Sequence, residues 1–555
     1  MLGDMRRIVW TAAAALLALA SACRPRGGCS GDYCGTLVVA LTGEPDVLLP
    51  PITEQSESQA VLDQIFLKVA DLDTTLNTFG DSAFTPLIAR SWEWADPKTL
   101  VFHIDPRARW QDGTPVTATD VAFSYDAYVD PKVNSPYAGS LRQISAVTAR
   151  DSLTAVFRFR QHYPEMFYDA VGALRVLPAH ILRGVPREQW ATAAFGHQPV
   201  GDGPYRFVEW KPGDHIELAA DSTFFLGRPH IRRLIFRFTS NQQVAVSQTI
   251  AGDADMISFL GPPDVVARAR AAPQLALYPY RGSVHTDLVF NFVDPADTTR
   301  PHPLFAERDV RRALAMSVDR ARLLQSVFGN LARVPPGPMT PMWWIWDTTL
   351  AQTKYDTTGA RWLLERQGWR DSDGDGIRDK NGVKLSFHLL VPTTSGLRRQ
   401  YARLLQDQFR KVGAEVQIDE VEPNVLDTRA RTGQFDAVLA SWNTDPSPSS
   451  GIAQTWTREG FGRSNWGRYY NADFERFLAQ AESSKTRPQA ARAWRGAMQV
   501  LNSDAAGIWL YAPDNIAAVH RRVAGVVIRP DAWWALIRLW RIPGDRLIAR
   551  DRLER

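Results

Sequence analysis

The residues with the best claim to chemistry are carboxylates in turns. Ser441-Trp442-Asn443-Thr444-Asp445-Pro446 follows a buried-looking run, Ala437-Val438-Leu439-Ala440. In open α/β sheets, ligands are met beyond the C-terminal ends of the strands. A carboxylate there could make a charge-assisted hydrogen bond to a cation, worth about 1.5–3 kcal/mol net. Asp445 also stands just before Pro, where Asp often starts a turn, and the residues alone leave both roles open. A second group, Asp371, Asp373, Asp375 and Asp379, alternates oxygen donors around Gly376 at the sixth position, as a Ca²⁺ loop does. Position twelve is Gly382 instead of Glu, which removes the bidentate ligand. A structural Ca²⁺ and an Asp/Gly-rich turn are the alternatives; no cofactor is otherwise required. The ten His form no H-E-x-x-H pattern, and no G-x-S-x-G elbow, Walker loop or Rossmann fingerprint is present. A pair such as Asp253/Asp255 could serve a glycosidase, but sixty acidic residues make such pairs common by chance. The expectation is a protein that is not an enzyme, with a secreted hydrolase as the rival of another class.

These acids must be positioned by alternating strands and helices. The apolar run 37–41 predicts a strand and 55–69 a helix. Residues 100–104 read as a strand, and Asp112-Gly113-Thr114-Pro115 as a turn. Thr117 and Asp120 match a capping box that opens a helix over 118–129. A hairpin is expected over 147–159, strands over 215–219 and 233–238, and a helix over 242–251. From 288 the pattern becomes strand 288–292, helices from 310 to 329, strand 385–390, helix 397–412, strand 414–421, helix 425–432 and strand 435–442. Such alternation argues for a parallel or mixed sheet covered by helices.

At 555 residues the chain exceeds one core. Its 64 basic and 60 acidic residues leave a net charge of +4, without a Lys/Arg block, so nucleic acid is excluded as a partner. The nineteen Trp suit a large core, or a pocket for extended organic ligands. Arg6 and Arg7 precede a thirteen-residue apolar stretch, too short to span a membrane and typical of a signal peptide. Leu19-Ala20-Ser21-Ala22-Cys23 resembles a bacterial lipobox, which implies cleavage after residue 22 and a lipid on Cys23. Ala20 departs from it, standing where a lipobox usually has Leu. Cys29 and Cys34 could close a small loop in an oxidising compartment.

Several motifs together resemble the family 5 extracellular solute-binding proteins, the oligopeptide and dipeptide receptors of ABC importers. The run 89–128, ARSWEWADPKTLVFHIDPRARWQDGTPVTATDVAFSYDAY, is similar to that family's signature region. Gly201-Asp202-Gly203-Pro204-Tyr205 matches its G-x-G-P-Y motif, and Gly252-Asp253-Ala254-Asp255 resembles its "aGeiD" step. The resemblance implies an α/β, two-lobed periplasmic-binding-protein fold of the class C type. It places a signal peptide at 1–22 and a tether at 23–35. Lobe I takes 36–85, 200–285 and 515–555, an inserted subdomain 86–199, and lobe II 286–514.

It also implies roles. Trp442 and Asp445 match a W-x-x-D loop whose Asp pairs with a ligand's α-ammonium, with Ser441 and Asn443 meeting the peptide main chain. Tyr137 would reach the ligand from the inserted subdomain. Glu54 lies near where some oligopeptide receptors place an acidic residue over the ligand, Arg463 could take the peptide carboxylate, and Asn291 could bond the ligand or hold the hinge. The implied protein is an extracytoplasmic, lipid-anchored monomer, in the periplasm or on the outer face of the membrane. It would bind oligopeptides by hinge closure and deliver them to the transmembrane subunits of an ABC permease. Rival readings are the same fold with an oligosaccharide, a metal chelate or an opine, and a structural surface lipoprotein without a ligand.

Overall fold

A single sheet path carries both lobes. The computed structural model describes residues 33–53, 55–261 and 263–552. From one edge the strands run Glu415–Val421, Ser386–Pro392, Ala437–Asn443, Val284–Phe290, Gly507–His520, Met256–Ile257, Thr36–Leu41, Arg233–Phe238, His215–Ala220 and Tyr205–Lys211. Leu275–Arg281 also pairs with Gly507–His520, over Leu275 against His520 to Arg281 against Asp514. The sheet is mixed. Thr36–Leu41 runs parallel to both neighbours, as does Ser386–Pro392, while the strands at the centre pair antiparallel.

The long strand Gly507–His520 belongs to both halves. Its first residues pair with Val284–Phe290 and its last with Leu275–Arg281. The chain therefore crosses between the lobes at two adjacent places, near 281–284 and near 511–514. A separate four-stranded antiparallel sheet, in the order Ala89–Asp96, Thr99–Ile104, Thr154–Phe159, Ile144–Asp151, forms the inserted subdomain.

Local sequence explains these elements. Thr36–Leu41 is buried at every residue, so it reads as an unbroken apolar run, as a strand covered on both faces must. The helix Ala118–Val129 has the expected capping box, with Asp120 Oδ2 accepting from the backbone N–H and the hydroxyl of Thr117, both at 2.8 Å. Gly396–Arg410 buries Tyr401, Ala402, Leu405 and Phe409 along one stripe. The G-x-G-P-Y motif is a packing device: a Cβ on Gly201 would meet the Ile65 carbonyl oxygen at 1.9 Å. Asp202 Oδ1 beside it accepts the Leu67 N–H.

Asp255 is no half of a catalytic pair. It is fully buried and takes Arg522 Nε at 2.5 Å, Arg550 Nη2 at 2.5 Å and the Val38 N–H at 2.9 Å. Arg522 also holds Asp551 at 2.7 Å and the Thr36 carbonyl at 2.6 Å. The expected strand 288–292 starts earlier and stops at Phe290. There Asn291 turns the chain, donating from Nδ2 to the carbonyls of Gly433 and Phe435. Cys34 is disulfide-bonded, whereas Cys23, Cys29 and the whole signal segment lie outside the described residues. No helix among the described residues is long and apolar enough to cross a membrane.

Candidate functional site

A cleft of about 850 Å³ lies between the inserted subdomain, lobe I and lobe II. Its floor on the lobe II side is the loop after Ala437–Asn443. That strand is buried from Ala437 to Ala440, then emerges, so the next turn is presented at the sheet's C-terminal edge. Asn443, Thr444 and Asp445 all line the cleft. The turn is held firmly. Trp343, itself buried, donates its indole N–H to the Asp445 carbonyl at 2.7 Å. Asp445 Oδ1 accepts the Ser447 N–H and the Ser450 hydroxyl, each at 2.8 Å. Among the described residues Oδ2 accepts nothing. Asp445 thus serves both as the turn's organiser, through Oδ1, and as a carboxylate offered to the cleft. It touches solvent within the cleft yet has protein on every side. Burial accordingly pushes its carboxyl up to about 6, with the nearby Glu165 adding to the rise and its two donors opposing it.

Other acids converge on the same space. Glu165 precedes the short helix Met166–Val171, on which Asp169 sits; Glu482 ends the helix Ala472–Glu482. Glu165 is buried and bridges two bodies, accepting from Thr78 and, across the cleft, from the Ser447 hydroxyl at 2.6 Å. Asp169 accepts the Tyr163 hydroxyl at 2.5 Å. Burial first, then Glu165 and Asp445, push Asp169 up to about 8, against the Tyr163 hydrogen bond and Arg142. Burial, with Glu165 and Glu459, pushes Glu482 up to about 7 against Arg142. None of Glu165, Asp169, Asp445 and Glu482 makes an ion pair with a described Lys, Arg or His. Two other acids of the cleft do: Asp63 with Arg175 at 2.6 Å, and Asp531 with Arg529 at 2.7 Å.

The remaining expected residues divide. Tyr137 lines the cleft; its hydroxyl donates to the Thr53 carbonyl and accepts from Gln59, which ties the inserted subdomain to lobe I. Ser441 and Trp442 do not line the cleft. Ser441 bonds the Thr286 hydroxyl at 2.6 Å, and Trp442 packs on Trp466 with ring centroids 4.7 Å apart. Asn291 is fully buried and bonded to backbone, so it holds the turn and meets no ligand. Arg463 is exposed and lies outside the cleft, which removes it as a carboxylate partner. Glu54 lies outside the described residues. Asp371, Asp373 and Asp375 can bring three oxygens together, but the Lys384 ammonium already bonds Asp373 and Asp375. Asp379 is turned onto the Ser372 hydroxyl at 2.6 Å. These residues fit Ca²⁺ poorly, because an ion would have to displace Lys384.

Sequence reasoning missed Glu165, Asp169 and Glu482. One signal was available for Glu482: it ends its helix, where the helix dipole favours a cation and disfavours an acid.

Two lobes and an inserted subdomain thus enclose one cleft, lined by the turn after Ala437–Asn443 and by carboxylates from both sides. The chain belongs to the bacterial extracellular solute-binding proteins, family 5, whose middle region is matched over residues 83–463. It is similar to the oligopeptide-binding protein AppA of Bacillus subtilis, 26% identical over 517 residues, covering 90% of this chain and 91% of that one. The crystal structure of Bacillus subtilis AppA in complex with a nonapeptide shares the fold, with a TM-score of 0.73 at 24% identity over 92% of this chain and 99% of that one. So does NikZ of Campylobacter jejuni in complex with Ni(L-His), with a TM-score of 0.73 at 22% identity over 92% and 100%.

Proposed function

We propose that this protein is the peptide receptor of an ABC importer, held outside the cytoplasm by a lipid on Cys23. The observation that carries the reading is Asp445: a firmly held carboxylate facing the cleft, with one oxygen satisfied by the protein and the other, among the described residues, not. A peptide's α-ammonium would complete it, and the main-chain groups around Asn443 and Thr444 would extend the contact along the ligand. The likeness to AppA, described as oligopeptide-binding, supports the same reading. Closure about the two crossings near 281–284 and 511–514 would trap the ligand, and the closed form would dock on the permease. No covalent step is needed.

The test compares free-amine and N-acetylated peptides. Asp445→Ala is expected to weaken free-amine peptides by about 10-fold or more, with little effect on the acetylated ones. Equal losses for both would overturn the role of Asp445. Mass spectrometry of small molecules released from the purified protein by mild denaturation is expected to find peptides.

A further inference from the structure

One ammonium does not account for the charge in this cleft. Glu165 and Asp169 come from the inserted subdomain, Asp445 and Glu482 from lobe II, and the Glu165–Ser447 hydrogen bond draws the two bodies together. Shutting the cleft therefore gathers four carboxyls from opposite sides around one space, where Glu165 and Asp445 raise Asp169 and Glu165 raises Asp445 and Glu482. Folding alone gives no reason for this. Asp63 and Asp531, in the same cleft, have their arginines. Arg142, exposed at the rim, acts on both Asp169 and Glu482, while Glu459 adds further negative charge beside Glu482. Glu482 is the least supported of the four: it receives no hydrogen bond among the described residues and stands at the wrong end of a helix for an acid.

We propose that the cleft selects peptides carrying a second cation, a Lys or Arg side chain, and that Glu482 with Asp169 reads it. The proposal rests on the peptide-receptor reading above. A guest with one positive charge would satisfy Asp445 and leave the other acids repelling or protonated. A guest with two would let both sets ionise and would relieve the repulsion that opposes closure. Phe259, exposed on the cleft wall, offers apolar surface for the stem of such a side chain. The raised carboxyls give the preference a pH dependence: acid protonates them and removes the charge that attracts the second cation.

The experiment uses the purified full chain and a set of alanine pentapeptides in which each position in turn is Lys or the uncharged isostere norleucine. Affinities are measured by calorimetry at pH 7.5 and pH 5. At one or more positions Lys is expected to bind about 10-fold more tightly than norleucine, with the preference shrinking at pH 5. Glu482→Gln and Asp169→Asn are expected to cut that preference severalfold while leaving norleucine peptides as well bound or better, a result that loss of folding could not give. Equal binding of Lys and norleucine at every position would overturn this inference and leave the receptor reading standing. So would an undiminished preference in both variants. Failure of every peptide to bind would overturn both.

Discussion

Two sets of acids in this molecule are built in opposite ways. Asp255 is enclosed by Arg522 and Arg550, and Asp71 is paired with Arg529 at 2.6 Å. Burial works to raise the Asp71 carboxyl, but the Arg529 guanidinium, helped by Lys68, outweighs it and holds the group at about 2. In the cleft, Asp445, Asp169 and Glu482 have protein around them but no ion-paired arginine, only Arg142 acting weakly on two of them, and are pushed up to about 6, 8 and 7. A buried charge that the chain neutralises itself holds the fold together. One that it leaves exposed to a cavity is held ready for something else.

The sharpest way to break this comparison is to remove one acid of each kind. Asp255→Ala leaves two arginines facing a buried void and is expected to destabilise the protein by about 3–5 kcal/mol, measured by urea unfolding. Asp445→Asn should cost far less, because burial already disfavours its charged form. Equal losses would mean that both acids are structural.

Next in size is the pH dependence. The cleft acids have folded values raised above the unfolded carboxylate value near 4. Their contribution to stability is therefore fully present below pH 4 and is lost as pH rises through about 6 to 8. The empty protein should lose Tm over that window, and Asp169→Asn should flatten the slope. Asp71 has the opposite sign. Its folded value is depressed, so its contribution is present above pH 4 and is lost as pH falls toward 2. Arg529→Met should abolish that acid-side loss and, because Arg529 also pairs with Asp531, should steepen the alkaline slope. Differential scanning calorimetry across pH distinguishes the two.

The smallest expected effect is at the Asp371–Asp379 turn. Lys384 already supplies its cation, so added Ca²⁺ or a chelator should leave Tm unchanged. A clear calcium-dependent rise would show that the ion can displace the lysine.

The sequence carried the local layer of this structure well. The capping box at Thr117, the strand of Thr36–Leu41 and the position of Asp445 beyond its strand all follow from spacing and polarity within a dozen residues. What it could not carry is convergence. Glu165, Asp169 and Glu482 lie on separate elements, and nothing within a short window of any of them reports the others. Asn291 and Arg463 show the reverse failure. Each sits in a plausible motif, but one is bonded to buried carbonyls and the other faces solvent, outcomes decided by packing from distant segments. The two crossings of the hinge depend on Gly507–His520 pairing with strands more than two hundred residues earlier, a relation that periodicity does not express.

The stitch around Arg522 has a consequence for how the chain is made. The first strand of lobe I is fastened by residues near the opposite terminus: the Thr36 N–H donates to Asp551 at 2.7 Å, and its carbonyl accepts from Arg522. During synthesis, then, the first described strand waits for a partner 515 residues further on before its lobe can lock. A strand made early is thus locked only by partners made much later, and the lobe it belongs to closes late.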